Sequence, residues 1–131
     1  KITLTAKYKP ESIINADYIL LERAISNLVI NALRHTPEGG KIELLYKKLD
    51  LYVEISVFNS GSFIPNQDIN KIWDAFYKVD KARSRDFGGQ GIGLSIVRSI
   101  VQLHDGECFA ENIQNGISFF IRLPKISHWF H

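Results

Sequence analysis

The sequence contains one cysteine and no methionine among its 131 residues. A single thiol, at Cys108, excludes an internal disulfide and is typical of proteins in a reducing compartment. The neighbouring residues Glu107, Phe109 and Ala110 have the composition of a β-strand. We therefore expect the thiol of Cys108 to be buried and inert rather than reactive.

The chain also lacks long apolar runs and a large excess of charge of one sign. No segment approaches the roughly 20 apolar residues of a bilayer-spanning helix, and the first residues do not have the pattern of a secretory signal peptide. The formal net charge is +2 and no Lys/Arg run forms a basic patch, so direct nucleic-acid binding is not expected. The first residues read as a strand without an initiating methionine. We expect a domain excised from a longer protein, with any membrane anchor outside it.

The sequence has the composition of a single soluble globular domain, residues 1–131, with 45% hydrophobic and 23% charged residues. Hydrophobic periodicity predicts two long helices and five strands. The predicted elements are a strand at 2–6, a helix at 18–33 capped by Asn15 or Asp17, strands at 41–48 and 51–58 joined by a hairpin, a short helix at about 66–73, a helix at 92–103, and a closing hairpin of strands 107–112 and 116–123. This pattern predicts an α/β (α+β) two-layer sandwich, in which a mixed, mostly antiparallel sheet is covered on one face by helices.

A glycine-rich stretch precedes the second long helix. Gly89, Gly91 and Gly93 alternate with Gln90 and Ile92 before the apolar helical pattern begins. Glycine lets a backbone approach a ligand closely, and a helix N-terminus presents free N–H groups to an anion, so a phosphate-binding turn is one interpretation. A flexible hinge before a helix is the other. The spacing matches neither a P-loop nor a dinucleotide-binding fingerprint.

Polar residues interrupt the first long helix. Asn27 and Asn31 lie four residues apart, within about 40° of one another around the helix axis. Arg34 and His35 continue this stripe beside the apolar face, at the rim of the core. An amide oxygen is a suitable ligand for Mg²⁺ together with phosphate oxygens and water, and Arg34 is placed to contact phosphate. The alternative is a pair of amides satisfied by the backbone or by solvent.

The tripeptide Asn59-Ser60-Gly61 follows a predicted strand. A side-chain oxygen held at this point can accept a hydrogen bond from an adenine amino group, while glycine permits close approach. The same tripeptide is also typical of an ordinary turn.

The polar segment at 74–90 has no clear hydrophobic periodicity and carries many charged residues. A segment of this kind is either a functional lid or a plain solvated loop. Phe76 and Tyr77 follow Trp73 at its start, either as core aromatics or as the anchor of a lid that closes over a nucleotide.

These motifs occur in a particular order. Asn-Leu-Val-Ile-Asn-Ala, Asn-Ser-Gly, Trp-Asp-Ala-Phe-Tyr and Gly-Gly-Gln-Gly-Ile-Gly-Leu follow one another along the chain. In these segments the chain resembles the catalytic, ATP-binding domain of bacterial sensor histidine kinases, whose ATP sandwich fold is shared with gyrase-type ATPases and heat-shock chaperones. The resemblance extends from Ile2 to Leu123.

The resemblance implies ATP and Mg²⁺ as cofactors and gives each site residue a role. Asn31 is the implied principal Mg²⁺ ligand, supported by Asn27. Arg34 is implied near the phosphates and His35 near the base or sugar. The other implied contacts of the nucleotide are the base-binding position Asn59, the lid aromatic Phe76, Arg83 or Arg85 at the γ-phosphate, and Gly61, Ile64, Tyr77, Gly89, Gln90, Gly91, Ile92, Gly93 and Leu94.

Two positions depart from the family pattern. Asn59 stands where the family usually has an aspartate. Its amide accepts a hydrogen bond without a negative charge, so we expect weaker or less adenine-selective nucleotide binding than an aspartate would give. Phe63 stands where the pattern often has a second glycine, so we expect a more rigid or shifted loop.

The resemblance favours phosphoryl transfer over hydrolysis. Related ATP hydrolases place a general-base glutamate four residues before the metal-binding asparagine, and Asn27 at that position takes up no proton at neutral pH. No histidine of this chain has the setting of the family's phosphoacceptor, since His104 lies at a helix-to-strand turn before Gly106. We therefore expect the γ-phosphoryl group to pass to a histidine on a dimerisation domain absent from this chain. An ATP-hydrolysing clamp and a degenerate regulatory nucleotide-binding module are the alternatives.

The family also implies partners and a location. The implied partners are the kinase's own dimerisation and phosphoacceptor domain and a response regulator, which the segment at 76–85 suggests is of the winged-helix type. The full-length protein is implied to be a membrane-bound homodimer with this domain in the cytoplasm. Together with the Asn-Ser-Gly variant, the segment at 76–85 is similar to that of vancomycin-resistance sensors of Gram-positive bacteria.

Overall fold

The computed structural model describes residues 2–7, 16–75, 77 and 93–125. The described elements are β1 (Thr3–Lys7), α1 (Tyr18–His35), β2 (Lys41–Lys48), β3 (Tyr52–Ser60), α2 (Gly93–Leu103), β4 (Glu107–Ile113) and β5 (Gly116–Pro124). The strands form one sheet in the order β1-β2-β3-β5-β4, in which β1 runs parallel to β2 and every other pair is antiparallel. The mixed, mostly antiparallel sheet with helices on one face confirms the predicted fold class.

Alternation along the strands separates an inner face, which the helices cover, from an outer face. Leu44, Val57 and Phe119 form one row of the inner face and contribute to the hydrophobic core. On the outer face the guanidinium of Arg122 pairs with the carboxylate of Glu54 on the neighbouring strand at 3.0 Å. The alternation predicted for residues 51–58 is therefore the pattern of a central strand with two different faces.

Helix α1 begins after an N-cap and ends before a proline. The carboxylate of Asp17 accepts a hydrogen bond from the main-chain N–H of Leu20 at 3.1 Å, which selects Asp17 over Asn15 as the cap. Thr36 ends the helix in an extended conformation because a following proline disfavours the helical one. The residues of its buried stripe are Ala24, Leu28, Ala32 and His35. The helix thus extends two residues beyond its predicted end.

Helix α2 packs against α1, and His104 links the end of α2 to the start of α1. The imidazole of His104 donates from Nδ1 to the carbonyl oxygen of Ile100 at 2.7 Å and accepts at Nε2 from the main-chain N–H of Asp17 at 2.9 Å. An imidazole that accepts at one nitrogen and donates at the other is neutral. Among the described residues, no helix is both long and apolar enough to cross a membrane.

The segment at 66–73 forms consecutive turns, so the short helix predicted there is wrong. The main-chain N–H groups of Asp68, Lys71 and Asp74 donate to the carbonyl oxygens of Pro65, Asp68 and Lys71, respectively, at 2.8–3.0 Å. These bonds join residues three apart and do not form the continuous i to i−4 ladder of an α-helix. Asparagine and aspartate side chains favour such turns because they compete for backbone hydrogen bonds. Trp73 is nevertheless buried, which holds the segment on the core.

Candidate functional site

Helix α1 places two amides at the rim of the core. Asn27 and Asn31 are half-buried beside the buried stripe, while Arg34 is exposed and His35 is buried. The Nδ2 atom of Asn31 is buried, and within the described ranges no group accepts a hydrogen bond from it. Leaving a buried donor unpaired costs about 1–3 kcal/mol. The rim of α1 therefore carries a polar group that no described residue satisfies.

Asn59 is the last inward-facing residue of β3. Its register partners are Ile42 on β2 and Ile117 on β5, and both are fully buried. The side chain of Asn59 is also fully buried, and neither Oδ1 nor Nδ2 has a hydrogen-bond partner among the residues that the structure describes. Buried polar groups without partners are rare in folded proteins. An amide in this state is suited to satisfaction by a bound ligand.

The loop after β3 is held against the end of α1. The hydroxyl of Ser62 donates to the carbonyl oxygen of His35 at 2.5 Å, and the N–H of Gly61 donates to the carbonyl oxygen of Asn115 at 2.9 Å. Gly61 has a φ of +82°, and a Cβ there would lie 2.6 Å from ring carbons of Pro37. The described structure thus requires glycine at position 61 for its backbone conformation and for its packing on Pro37.

Ile64 is anchored by Asn112, which the sequence analysis did not identify as a site residue. The side chain of Asn112 on β4 accepts from the main-chain N–H of Ile64 at 3.0 Å and donates to its carbonyl oxygen at 2.7 Å. This pair of bonds fixes the loop on the core, where Ile64 is fully buried. Phe63, one residue earlier, is 56% exposed.

The first residues of the predicted lid are anchored to the body of the protein. Trp73 is buried, and Asp74 forms an ion pair with Arg98 of α2 at 2.7 Å. The hydroxyl of Tyr77 donates a hydrogen bond to the carboxylate of Asp68. Trp73, Asp74 and Tyr77 therefore contact the core, α2 and the preceding turns, respectively.

The second half of the predicted site is described only in part. Gly93 is the exposed first residue of α2, and a Cβ added to it would meet no atom within 4 Å. Leu94 is half-buried and packs against the core. The predicted site residues Phe76, Arg83, Arg85, Gly89, Gln90, Gly91 and Ile92 lie outside the described residues.

The described amides sit on elements in direct contact, because α1 packs on β3. In the ranges that the structure describes, no group of three His, Cys, Asp or Glu side chains is arranged to hold a metal ion. Mg²⁺ also binds amide and phosphate oxygens and retains water molecules. Asn31, with Asn27 one turn earlier, therefore fits an ion held jointly with phosphates. Asn59 fits a ligand edge that both donates and accepts hydrogen bonds.

A separate shallow pocket borders the same loop. It has a volume of about 420 Å³, and Gly61, Phe63 and Asn112 are among its lining residues. Neither Asn31 nor Asn59 lines it. The pocket therefore borders the loop after β3 and contains neither amide.

Comparison with known proteins gives consistent matches. The family model described as histidine kinase-, DNA gyrase B-, and HSP90-like ATPase matches residues 16–127. The sensor histidine kinase CusS of Escherichia coli K12 is 42% identical over 108 residues, which cover 82% of this chain and 22% of CusS. The sensor histidine kinase WalK of Bacillus subtilis is 37% identical over 122 residues, which cover 85% of this chain and 19% of WalK. The chain spans about a fifth of the length of these relatives.

Two solved structures of histidine kinases match over most of their own length. The catalytic domain of the histidine kinase ThkA superposes with a TM-score of 0.81 and 33% identity, covering 95% of this chain and 80% of that domain. The mycobacterial sensor histidine kinase MprB gives a TM-score of 0.83 and 28% identity, covering 95% of this chain and 84% of the MprB chain. The similarity in fold therefore extends over nearly all of this chain.

Proposed function

Because the chain belongs to the family of histidine kinase-, DNA gyrase B- and HSP90-like ATPases, as a catalytic domain of a bacterial sensor histidine kinase, we propose that it binds Mg-ATP and supplies the γ-phosphoryl group to a histidine on another domain. The observation that carries the proposal is the buried amide of Asn59 on β3, whose Oδ1 and Nδ2 have no hydrogen-bond partner among the described residues. It lies at the position that the resemblance assigns to the base, and β3 packs against α1, which carries Asn31 at the position assigned to the metal.

Four site residues that the structure describes have defined tasks in this proposal. Asn31 and Asn27 hold the Mg²⁺, Arg34 binds phosphate oxygens, and Asn59 binds the base. Bound Mg²⁺ would supply neutralisation of the phosphate charge that develops during transfer. The residues otherwise position the nucleotide, which is the main contribution of a protein to phosphoryl transfer. Phe76, Arg83 or Arg85, and the glycines at 89 and 91 complete the proposed site.

The side chain at position 27 argues against hydrolysis as the main reaction. A general base for water must accept a proton near neutral pH, and the amide of Asn27 does not. Steady release of phosphate by the isolated chain would instead support an ATP-hydrolysing clamp. A regulatory module without catalytic activity is the other alternative, which the absence of Mg-ATP binding would favour.

The nucleophile is proposed to lie outside this chain. Both ring nitrogens of His104 are engaged, with Ile100 and with Asp17, and His35 is buried at the end of α1. A histidine that attacks a phosphoryl group needs a free, accessible ring nitrogen. His128 and His131 lie outside the described residues.

The proposal extends to partners by analogy with relatives. ThkA, which is 31% identical in this comparison, has been solved in complex with the response regulator TrrA. We propose a response regulator, of the winged-helix type, as the downstream partner of this kinase. We also propose that residues 1–131 are the single catalytic domain, with a lid at about 74–90, of a membrane-anchored homodimer. The cytoplasm is the proposed location of the domain.

The experiment is phosphoryl transfer in trans. The chain is incubated with γ-labelled Mg-ATP, alone and with the separately purified helical dimerisation domain of the same full-length kinase. We expect labelled phosphohistidine on the dimerisation domain and none on the chain itself. Label on this chain alone, or no label on either protein, would contradict the proposal.

A further inference from the structure

The strongest unexplained feature is the chemistry of the buried Asn59 side chain. An amide presents a donor and an acceptor side by side, whereas a carboxylate presents only acceptors. The partner that satisfies both atoms of Asn59 must therefore offer one acceptor and one donor next to each other. The six-membered ring of a purine has such an edge, formed by N1 and the substituent at C6.

Two purine types satisfy this amide in opposite orientations. Adenine donates from its 6-amino group and accepts at N1. A 6-oxo purine, such as hypoxanthine or guanine, accepts at O6 and donates from N1–H. Rotation of the amide by about 180° exchanges its donor and its acceptor, so Asn59 fits either edge.

The described surroundings of Asn59 do not select one orientation. Its register neighbours, Ile42 and Ile117, have no polar side-chain atoms, and among the described residues nothing bonds to either end of the amide. A hydrogen bond from a neighbour would fix the amide in one state and thereby choose one purine. Without it, the choice is left to the ligand.

We propose that Asn59 makes the base site accept 6-oxo as well as 6-amino purine nucleotides, so that the phosphoryl donor is selected as a purine and not strictly as adenine. This inference rests on the proposed nucleotide-binding function. An aspartate at the same position would present two acceptors, so it would pair with only one atom of either edge, the 6-amino group of adenine or N1–H of a 6-oxo purine. The asparagine amide is the side chain that pairs with both atoms of either edge.

The test compares three nucleotides that differ only at N1 and C6. They are ATP, inosine triphosphate (a 6-oxo purine) and purine riboside triphosphate, which has no C6 substituent and so no donor. We expect the affinity for inosine triphosphate to be within about tenfold of that for ATP, with the purine analogue weaker than both, since an unmade buried hydrogen bond costs about a factor of ten. Guanosine triphosphate is a less direct probe because its 2-amino group adds bulk.

Variants assign the effect to the side chain. Asn59→Leu removes the donor and the acceptor together and places an apolar side chain between Ile42 and Ile117, so the three nucleotides are expected to bind this variant with similar affinities. Asn70→Ala, in an exposed turn, is expected to leave the wild-type order of the three nucleotides unchanged. If Asn59→Leu does not fold, as judged by circular dichroism, the wild-type order of the three nucleotides remains decisive.

The outcomes separate the inference from the function. If ATP binds and inosine triphosphate is weaker than ATP by more than about tenfold, or the purine analogue binds as tightly as ATP, the inference fails and the proposed function stands. If none of the three binds to the folded chain, both fail.

Discussion

The hydroxyl of Ser62 donates a hydrogen bond to the main-chain carbonyl oxygen of His35 at 2.5 Å, across 27 positions of sequence. The bond is buried and joins the C-terminal end of α1 to the loop that follows β3. The proposed metal-binding helix and the proposed base-binding strand thus share a direct connection. Their relative position depends on this link as well as on the hydrophobic core.

Substitution of this serine tests the connection. Ser62→Ala removes the donor and leaves a buried carbonyl oxygen with one partner fewer, so we expect a loss of about 1–3 kcal/mol in the free energy of unfolding. Urea denaturation measures the loss. The matched control is Ser99→Ala on the exposed face of α2, which is expected to change stability by less than about 0.5 kcal/mol. Equal effects of the two substitutions would contradict a structural role for the Ser62 bond.

Two glycines with similar backbones give a second test. Gly39 and Gly61 have φ values of +84° and +82°, but only at Gly61 would a Cβ contact another residue, at 2.6 Å from ring carbons of Pro37. Gly39→Ala is expected to cost about 1–2 kcal/mol from backbone strain alone. Gly61→Ala carries the same strain and a clash in addition, so we expect a larger loss of stability in thermal or urea unfolding.

The cause of that difference is tested by removing the ring. Pro37→Ala combined with Gly61→Ala is expected to recover most of the excess loss, because the clash has no partner once Cγ and Cδ are gone. A cost for Gly61→Ala equal to that of Gly39→Ala would show that the Pro37 contact has no role.

The thiol of Cys108 predicts a change of stability with pH. Burial raises its pKa from the ordinary 9.0 to about 11, against a smaller lowering by Arg98 and with a further rise from Glu107. As the pH rises, the thiol therefore loses its proton at a lower pH in the unfolded chain than in the folded chain. The contribution of the neutral thiol to the free energy of unfolding is complete below about pH 9 and declines between about pH 9 and about pH 11. We expect the free energy of unfolding of Cys108→Ala to fall less steeply than that of the wild type over this range. If the free energies of unfolding of the wild type and of Cys108→Ala fell in parallel between about pH 9 and about pH 11, the raised pKa would be contradicted.

Local patterns in the sequence account for much of the observed fold. The alternation of Val53, Ile55 and Val57 identified a strand, and the polar residues before the first apolar helical pattern narrowed the cap to Asn15 or Asp17, of which the structure has Asp17. The four-residue spacing of Asn27 and Asn31 placed both at the rim of the core, where they lie. Such features are set within one or two turns of chain, so the sequence contains them directly.

Contacts between distant segments could not be found in the same way. Asn112 holds Ile64 across 48 positions, and no local pattern marks either residue as the partner of the other. The segment at 66–73 was predicted as a helix but forms turns. The spacing of half-buried Ile69 and buried Trp73 is compatible with a helix, while the hydrogen bonds of the segment follow the turn preference of its Asn and Asp residues. The absence of partners for Asn59 likewise becomes visible only when its neighbours on both strands are known.

The most direct test of the central claim is a calorimetric titration of the chain with Mg-ATP, repeated with EDTA and on Asn31→Ala. Alanine is well tolerated in a helix, so the variant should fold, and Asn70→Ala in an exposed turn serves as the control. We predict saturable binding that EDTA weakens and that Asn31→Ala weakens by about tenfold or more, while Asn70→Ala binds as the wild type does. Equal, metal-independent binding by the wild type and Asn31→Ala, or no binding by the folded wild type, would contradict a Mg-ATP site on α1.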